Sequence, residues 1–331
     1  MHVLVAGSTG VLGRRLVSGL TDDGYDVVGL VREDTGADLV RERGGEPRRG
    51  DVLEPDSLVD AAAGSDVVIH AATAIPTGTR PTPEDWRRND RIRLEGTRNL
   101  LAAAEAVDAD RFLLQSVTWV ARQPDGSHFD ERSDPHPDRT TRSALEAERL
   151  LANEATERGL EPCTLRCGWF YAHDAAHTRD FGGRVLERDM PVVGCGLLGR
   201  SDATLSFLHA DDAASAFAAA TASDATGRFH VVDDRPATLA DFFETFATLL
   251  EAPSPRRVPG WLARPILGRD TTRFLTSSAP TTNERFREAV DWEPSFPTYE
   301  HGLEQVLERW LADGTIRSSA SDEGYEWGPE N

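Results

Sequence analysis

The chain has 331 residues, enough to bury a large core in two domains or in one domain with a long insertion. Its 56 acidic and 36 basic residues leave a net charge of −20, which argues against nucleic acid or an anionic membrane as partner and reads as a halophile-type acidic surface. Every basic residue is arginine, the cysteines Cys163, Cys167 and Cys195 match neither a zinc spacing nor a disulfide framework, and no stretch reads as a signal peptide or membrane span, so a cytoplasmic protein without a metal site is expected.

The first apolar run, Val3 to Ala6, breaks into Gly7-Ser8-Thr9-Gly10-Val11-Leu12-Gly13 and then into a segment where Leu12, Leu16 and Leu20 recur every four residues. This pattern predicts strand, glycine turn and helix. Gly7 suits a tight turn, Gly10 lets backbone approach a pyrophosphate and Gly13 lets the helix sit close on the strand, so free N–H groups point at an anion. A second strand is expected over Asp26 to Val31. Val31 stands where an acid would accept from the adenosine ribose, and Arg32 follows, a pairing that favours NADP(H) over NAD(H). Asp51, beside Val52, is placed to accept from an adenine amino group or to cap its own turn.

The strand Asp66 to His70 ends in Ala71, Ala72 and Thr73, small residues that let backbone lie against a ribose or nicotinamide; His70 reads as a core histidine. A helix is expected from about Trp86 to Ala106 and a strand from Phe112 to Ser116. The stretch from Gln123 to Arg142 is too polar for a core and reads as the lip of a site. A helix from Ser143 and a strand from Glu161 to Cys167 complete an alternation that predicts a parallel, doubly wound α/β sheet. Leu205 to His209 and the helix after Asp211 are expected to return to that sheet. Thr238 and Asp241 have capping-box spacing before a helix with Phe242, Phe243 and Phe246 on its face. Pro253 to Arg273 is poorly readable, and a helix carrying Leu303, Val306 and Trp310 precedes a polar tail, expected to be mobile, from residue 314.

Together the glycine turn, Gly50-Asp51, His70-Ala71-Ala72, Gly96-Thr97-Arg98-Asn99-Leu100-Leu101, Leu145-Glu146-Ala147-Glu148, Leu165 to Tyr171, Ser206 to Ala213 and Asp291-Trp292-Glu293-Pro294 resemble the NAD-dependent epimerase/dehydratase family, the extended short-chain dehydrogenases/reductases. The resemblance implies a Rossmann domain over residues 1–170 and a smaller C-terminal α/β substrate domain over 171–313, with about 205–222 returning to the first. A small-molecule substrate in the cleft between them is implied, and a homodimer is compatible with it.

Members of that family usually use a tyrosine, a lysine four residues on that lowers its pKa, and a serine or threonine. Setting Y-x-x-x-K on this chain places Thr140 and Ala144 at the two positions, and no lysine is present anywhere. The family's serine position falls on Val117, leaving Ser116 and Thr118 as candidate hydroxyls, and the asparagine of N-x-x-G-T falls on Arg93. Thr140 is a candidate to orient a substrate oxygen or to cap the next helix. Tyr171 is a candidate substitute phenol, with Arg93, Arg142 or Arg166 as its cation, or else a packing residue. His209 and Asp211 read as strand-end and cap residues, and His128, Asp130, Glu131 and His136 as solvated lip residues. Two readings stand: an atypical NADP(H)-dependent oxidoreductase or epimerase on a sugar-nucleotide-like or other small polar substrate, and a catalytically silent dinucleotide-binding sensor or structural subunit.

Overall fold

The computed structural model describes residues 1–76, 81–194, 202–319 and 324–328. Cys195 lies outside them. Seven parallel strands form the main sheet: β1 (His2–Ala6), β2 (Asp26–Val31), β3 (Glu46–Arg49), β4 (Val67–His70), β5 (Arg111–Val117), β6 (Glu161–Cys167) and, later in the chain, Gly227–Val231. Val3 to Ala6 have no exposed surface, as expected of a strand covered on both faces. The helices alternating with these strands are α1 (Val11–Asp22), α2 (Asp34–Glu42), α3 (Leu58–Ala62), α4 (Pro83–Ala106) and α5 (Arg142–Glu154). Leu12, Leu16 and Leu20 of α1 are buried on one face of the sheet, while Leu100 and Leu101 of α4 and Leu151 of α5 fill the other. α4 starts three residues earlier than the apolar pattern indicates, because Thr82 and Asp85 form a reciprocal cap ahead of its polar first turn.

The order runs β3-β2-β1-β4-β5-β6, with Gly227–Val231 on the far edge. Chain direction across the sheet reverses at β1 and β4, so a crevice opens beyond their carboxyl ends. The doubly wound α/β fold expected from the sequence is the observed one.

The chain then builds a second layer. β7 (Trp169–Tyr171), α6 (Ala176–Leu186), β8 (Pro191–Val193), β9 (Thr204–Leu205) and β10 (Phe207–His209) precede α7 (Ala210–Thr221), and the sheet-edge strand is β11. After it come β12 (Ala237–Thr238), α8 (Leu239–Leu249), β13 (Arg256–Val258), α9 (Gly260–Leu267), α10 (Arg269–Leu275), α11 (Glu284–Val290) and α12 (Tyr299–Ala312). Tyr171, Phe207, Phe242, Phe246, Leu303 and Trp310 lie together in a core separate from those of the main sheet.

Two expectations are corrected here. The 205–209 stretch does not rejoin the main sheet: Leu205 pairs with Ala237, and β10 pairs with β7, while the sheet gains β11 instead. Helix α7 does pack on α1. The tail beyond Gly314 is not a free polar segment among its described residues. Ile316–Ser318 and Tyr325–Trp327 pair as the hairpin β14–β15, Ile316 is buried, and Trp327 meets Trp310 edge-on with centroids 5.3 Å apart. A few apolar side chains facing an existing aromatic core are enough to order a segment whose composition is polar.

Candidate active site

The crevice begins at the β1–α1 turn. Gly7 has φ +90°, in the left-handed region, and a Cβ there would lie 2.6 Å from the Ala72 nitrogen, so the turn rests directly on the chain leaving β4. Gly13 is tighter still, with a would-be Cβ 2.0 Å from the Gly7 carbonyl oxygen. The Gly10 N–H donates back to that carbonyl at 3.0 Å, and Gly10 caps α1 with no side chain of its own. The first N–H groups of α1 are therefore left for an anion, with no acid in the first turn to compete. Ser8 is buried and donates to the Leu30 carbonyl at 2.8 Å, tying the turn to β2. Thr9 is exposed, Val11 packs against Ala172, Ala175 and Ala210, and Leu12 faces the core, so this stretch offers a ligand its backbone.

Ala71 and Ala72 are buried or half-buried and Thr73 is exposed along the facing wall. That wall is held by Asn89 of α4, buried, whose side-chain oxygen accepts from the Ala74 N–H at 3.0 Å. Val52 is buried against Gly96, and its carbonyl accepts from Asn99. Asp51 accepts from the Leu53 N–H through Oδ1 at 2.9 Å, leaving Oδ2 at 4.0 Å from the guanidinium of Arg32, whose side chain is 58% exposed. His70, next to the turn, donates its Nε2–H to the Ile92 carbonyl at 3.2 Å and is pushed down to about 4 by burial, which keeps it neutral. The residues fit a dinucleotide: a cradle any Cβ would fill, free helix N–H groups and a wall of small side chains.

The other end of the cleft differs. Ser116, at the end of β5, donates to Glu148 of α5 at 2.5 Å, and Arg166 of β6 closes on the same carboxylate through Nε at 2.8 Å and Nη2 at 2.6 Å. Arg166 then meets His230 Nε2 at 3.4 Å, while His230 Nδ1 lies 2.7 Å from the Thr281 hydroxyl, which itself donates to the Phe129 carbonyl. Thr281 is thus the acceptor for Nδ1–H and Nε2 carries the lone pair toward Arg166. Burial and nearby arginines hold His230 well below its usual range. The candidate hydroxyl of Ser116 is absorbed in this buried network.

Thr140 is half-buried and its hydroxyl donates to Asp138 at 2.7 Å. It does not cap α5, whose N-cap is Thr141. Thr118 is 1% exposed within the helical turn Thr118–Ala121, and Ala144 is 2% exposed. Arg93 reaches under this region and donates to the Thr140 carbonyl at 3.2 Å.

Tyr171 does not enter the cleft, which corrects its nomination as a substitute phenol. Its ring is 2% exposed between His209, Phe207 and Phe242, and a Cβ at Gly302 would lie 2.0 Å from its hydroxyl. Burial first, then Asp233, Asp212 and Glu300, push its pKa well above the usual value, with no arginine acting on it. The polar lip is also partly interior. Phe129 and Glu131 are buried, and Glu131 accepts from the His230 N–H at 2.7 Å. His209 accepts from the Asp211 N–H and so is itself the cap of α7, a role the sequence reading gave to Asp211, which lies in the helix's first turn. Asp212 accepts from the Ser295 and Phe296 N–H groups, which binds the segment after Asp291-Trp292-Glu293-Pro294 to α7, and burial raises it to about 6. Cys163 and Cys167 are buried free thiols, the former pushed up to about 12. Among the described residues no cluster of ligands could hold a metal ion.

Sequence reasoning missed Asn89 and saw Arg93 only as a departure from a pattern. The signal for Asn89 was available, a polar residue on the buried stripe of α4.

A parallel sheet reversing at β1, with a glycine cradle at the switch, defines a dinucleotide-binding protein of the doubly wound class. The chain belongs to the NAD dependent epimerase/dehydratase family, whose description matches residues 3–232. It is 36% identical over 317 residues, 92% of this chain and 99% of the relative, to the 3-diazoavenalumate denitrifying reductase of a Streptomyces species. A 4-hydroxy-2-methyl-3-oxo-4-farnesyl-3,4-dihydroquinoline-1-oxide ketoreductase of Stigmatella aurantiaca is 33% identical over 137 residues, 41% of this chain and 39% of that protein. Among solved structures, UDP-glucose 4-epimerase of Thermotoga maritima with UDP-glucose superposes with TM-score 0.79 at 18% identity, covering 95% of this chain and 99% of that one. The UDP-glucose 4-epimerase of Thermus thermophilus with NAD gives 0.75 at 22% identity, covering 94% and 99%. The latter two show the fold. These two sequence relatives are named as reductases, and no helix among the described residues is long and apolar enough to cross a membrane.

Proposed function

We propose that this protein is an NADPH-dependent reductase whose substrate accepts hydride without taking a proton from a protein side chain. The observation that carries the reading is the contrast between a complete glycine cradle and a reacting end where Thr140 is spent on Asp138, Ser116 on Glu148, and Tyr171 is sealed in a core. Gly7 to Gly13 hold the pyrophosphate through backbone N–H groups, Ala71, Ala72 and Thr73 line the ribose and nicotinamide, and Val52 and Asp51 Oδ2 border the adenine. Arg32, largely exposed beyond β2, meets a 2′-phosphate in preference to a ribose hydroxyl pair.

The dihydronicotinamide supplies hydride when bound. An arenediazonium group suits a site without an acid: hydride forms the C–H bond as the C–N bond breaks, the bonding pair leaves with N2, and no proton is needed. The name of the Streptomyces relative, which describes a diazo compound and the loss of its nitrogen, supports that substrate class over a sugar nucleotide. What the protein then contributes is position and exclusion of water.

The test is a set of incubations with NADPH deuterated at the transferable position. Deuterium in the arene product together with N2 release from an arenediazonium salt, and no turnover of ketones or sugar nucleotides, is expected. Ketone or sugar-nucleotide turnover with the diazonium untouched would overturn the substrate class. Tight NADPH binding with no turnover of any acceptor would return the protein to a silent dinucleotide-binding module. Arg32→Asp should lower the NADPH over NADH affinity ratio by about tenfold or more, measured by cofactor fluorescence.

A further inference from the structure

Four arginines among the described residues are buried: Arg93, Arg111, Arg122 and Arg166. Three are paired, Arg111 with Glu161 at 2.8 Å, Arg122 with Asp138 at 3.1 Å and Arg166 with Glu148 at 2.6 Å. Arg93 is the exception. It is 6% exposed, and its one hydrogen bond among the described residues goes to a neutral acceptor, the Thr140 carbonyl. The two carboxylates that act on it from a distance are occupied, Asp90 by the Ser143 hydroxyl at 2.6 Å and Glu148 by Ser116 and Arg166. Burial pulls its pKa down to about 10, the mark of a guanidinium short of compensation. A buried charge without a partner is costly, and a protein keeps one where something else completes it.

The free edge of Arg93 is Nε and Nη2. Neither makes a hydrogen bond among the described residues, and, unlike the Nε of Arg111, neither is sealed from solvent. That edge has the parallel two-donor geometry that matches a carboxylate. Its position is set by Thr140, the residue standing at the family's tyrosine position, so the free donors belong to the reacting end of the cleft. From Thr140 a short chain of contacts leads to a cluster of aromatic rings inclined to one another. Thr140 donates to Asp138, Asp138 pairs with Arg122, and Arg122 closes the helical turn containing Trp119. Trp119 and Trp169, both half-buried, meet Phe274 of α10 at 5.0 and 5.3 Å between centroids.

We propose that Arg93 is a substrate-binding residue that pairs through Nε and Nη2 with the carboxylate of an aromatic acid, whose ring lies against Trp119 and Phe274. The assignment rests on the reading of this cleft as a substrate site. The other source of an anion, the cofactor's pyrophosphate, has its own donors at the N-terminus of α1.

Binding separates these sources without any turnover. The full-length protein holding NADP+ is titrated with 2-naphthoate and with 2-naphthamide, following tryptophan fluorescence and heat. The acid is expected to bind at least about tenfold tighter than the amide, a preference that Arg93→Gln abolishes and Arg93→Lys keeps in part. Equal binding of acid and amide by the wild type, or the same preference in Arg93→Gln, overturns the proposal. So does a variant that loses NADPH affinity while the acid-to-amide ratio is unchanged, since Arg93 would then serve the cofactor. If Arg93→Gln fails to fold, the ratio must still fall in Arg93→Lys, whose ammonium lacks the two-donor edge. Arg93-dependent naphthoate binding beside an inert diazonium salt would sink the reaction proposed above and leave this site standing.

Discussion

At the β1–α1 turn the backbone makes the site, whereas at the ends of β5 and β6 the side chains have been taken by one another. Gly7, Gly10 and Gly13 contribute by what they lack, so nothing there can be turned aside by a neighbour. Ser116, Thr140 and Tyr171 carry hydroxyls, and each is held by Glu148, held by Asp138 or enclosed by Phe207 and Phe242. The contrast teaches that the two ends depend on different kinds of interaction: the cradle on sterics within one turn, the hydroxyls on which neighbours they meet in space.

The largest expected effect breaks the reacting end. Arg166→Met takes both hydrogen-bonding nitrogens from the buried Glu148 and leaves it only Arg228 at 3.7 Å, and should cost up to about 3–5 kcal/mol in urea unfolding. The double variant Arg166→Met, Glu148→Met should recover most of that, because two apolar side chains replace the pair; if the double variant is as unstable as the single one, the network is more than a compensated ion pair.

A smaller effect is expected at the cradle. Gly13→Ala places a methyl 2.0 Å from the Gly7 oxygen and should cost about 1–3 kcal/mol as the turn and helix separate, with NADPH affinity falling in parallel. Unchanged affinity would show that the pyrophosphate does not depend on that approach. The smallest effect sharpens the contrast. Tyr171→Phe removes a hydroxyl that is buried without a partner, so stability should stay within about 0.5 kcal/mol of wild type or rise, and turnover should be unaltered. A loss of kcat in that variant would put Tyr171 back into the chemistry.

Much of the fold was legible in the chain. The apolar runs of β1, β2, β4, β5 and β6 and the four-residue repeat of α1 record burial directly, and Thr238 with Asp241 announced the start of α8. The strands that escaped notice have no such record. Glu46–Arg49 is polar with a proline, and it pairs at the sheet edge, where half of its backbone groups need no partner. β11 opens on Gly227 and Arg228 and carries a buried His230 among its apolar residues, and is recognisable only from its neighbour β6.

Of the candidate site, the cradle could be read at once because glycine sterics are a property of adjacent residues. Chain-local pattern determined the doubly wound sheet, the cradle at its first turn and the absence of any lysine for a proton relay. Only the tertiary structure decided the rest, because a polar atom finds its partner in space. Ser116 reaches Glu148 across 32 positions, Arg93 reaches Thr140 across 47, and His230 reaches Thr281 across 51. No period or spacing encodes those meetings, nor that Arg93, alone among the buried arginines described, would be left with an open edge.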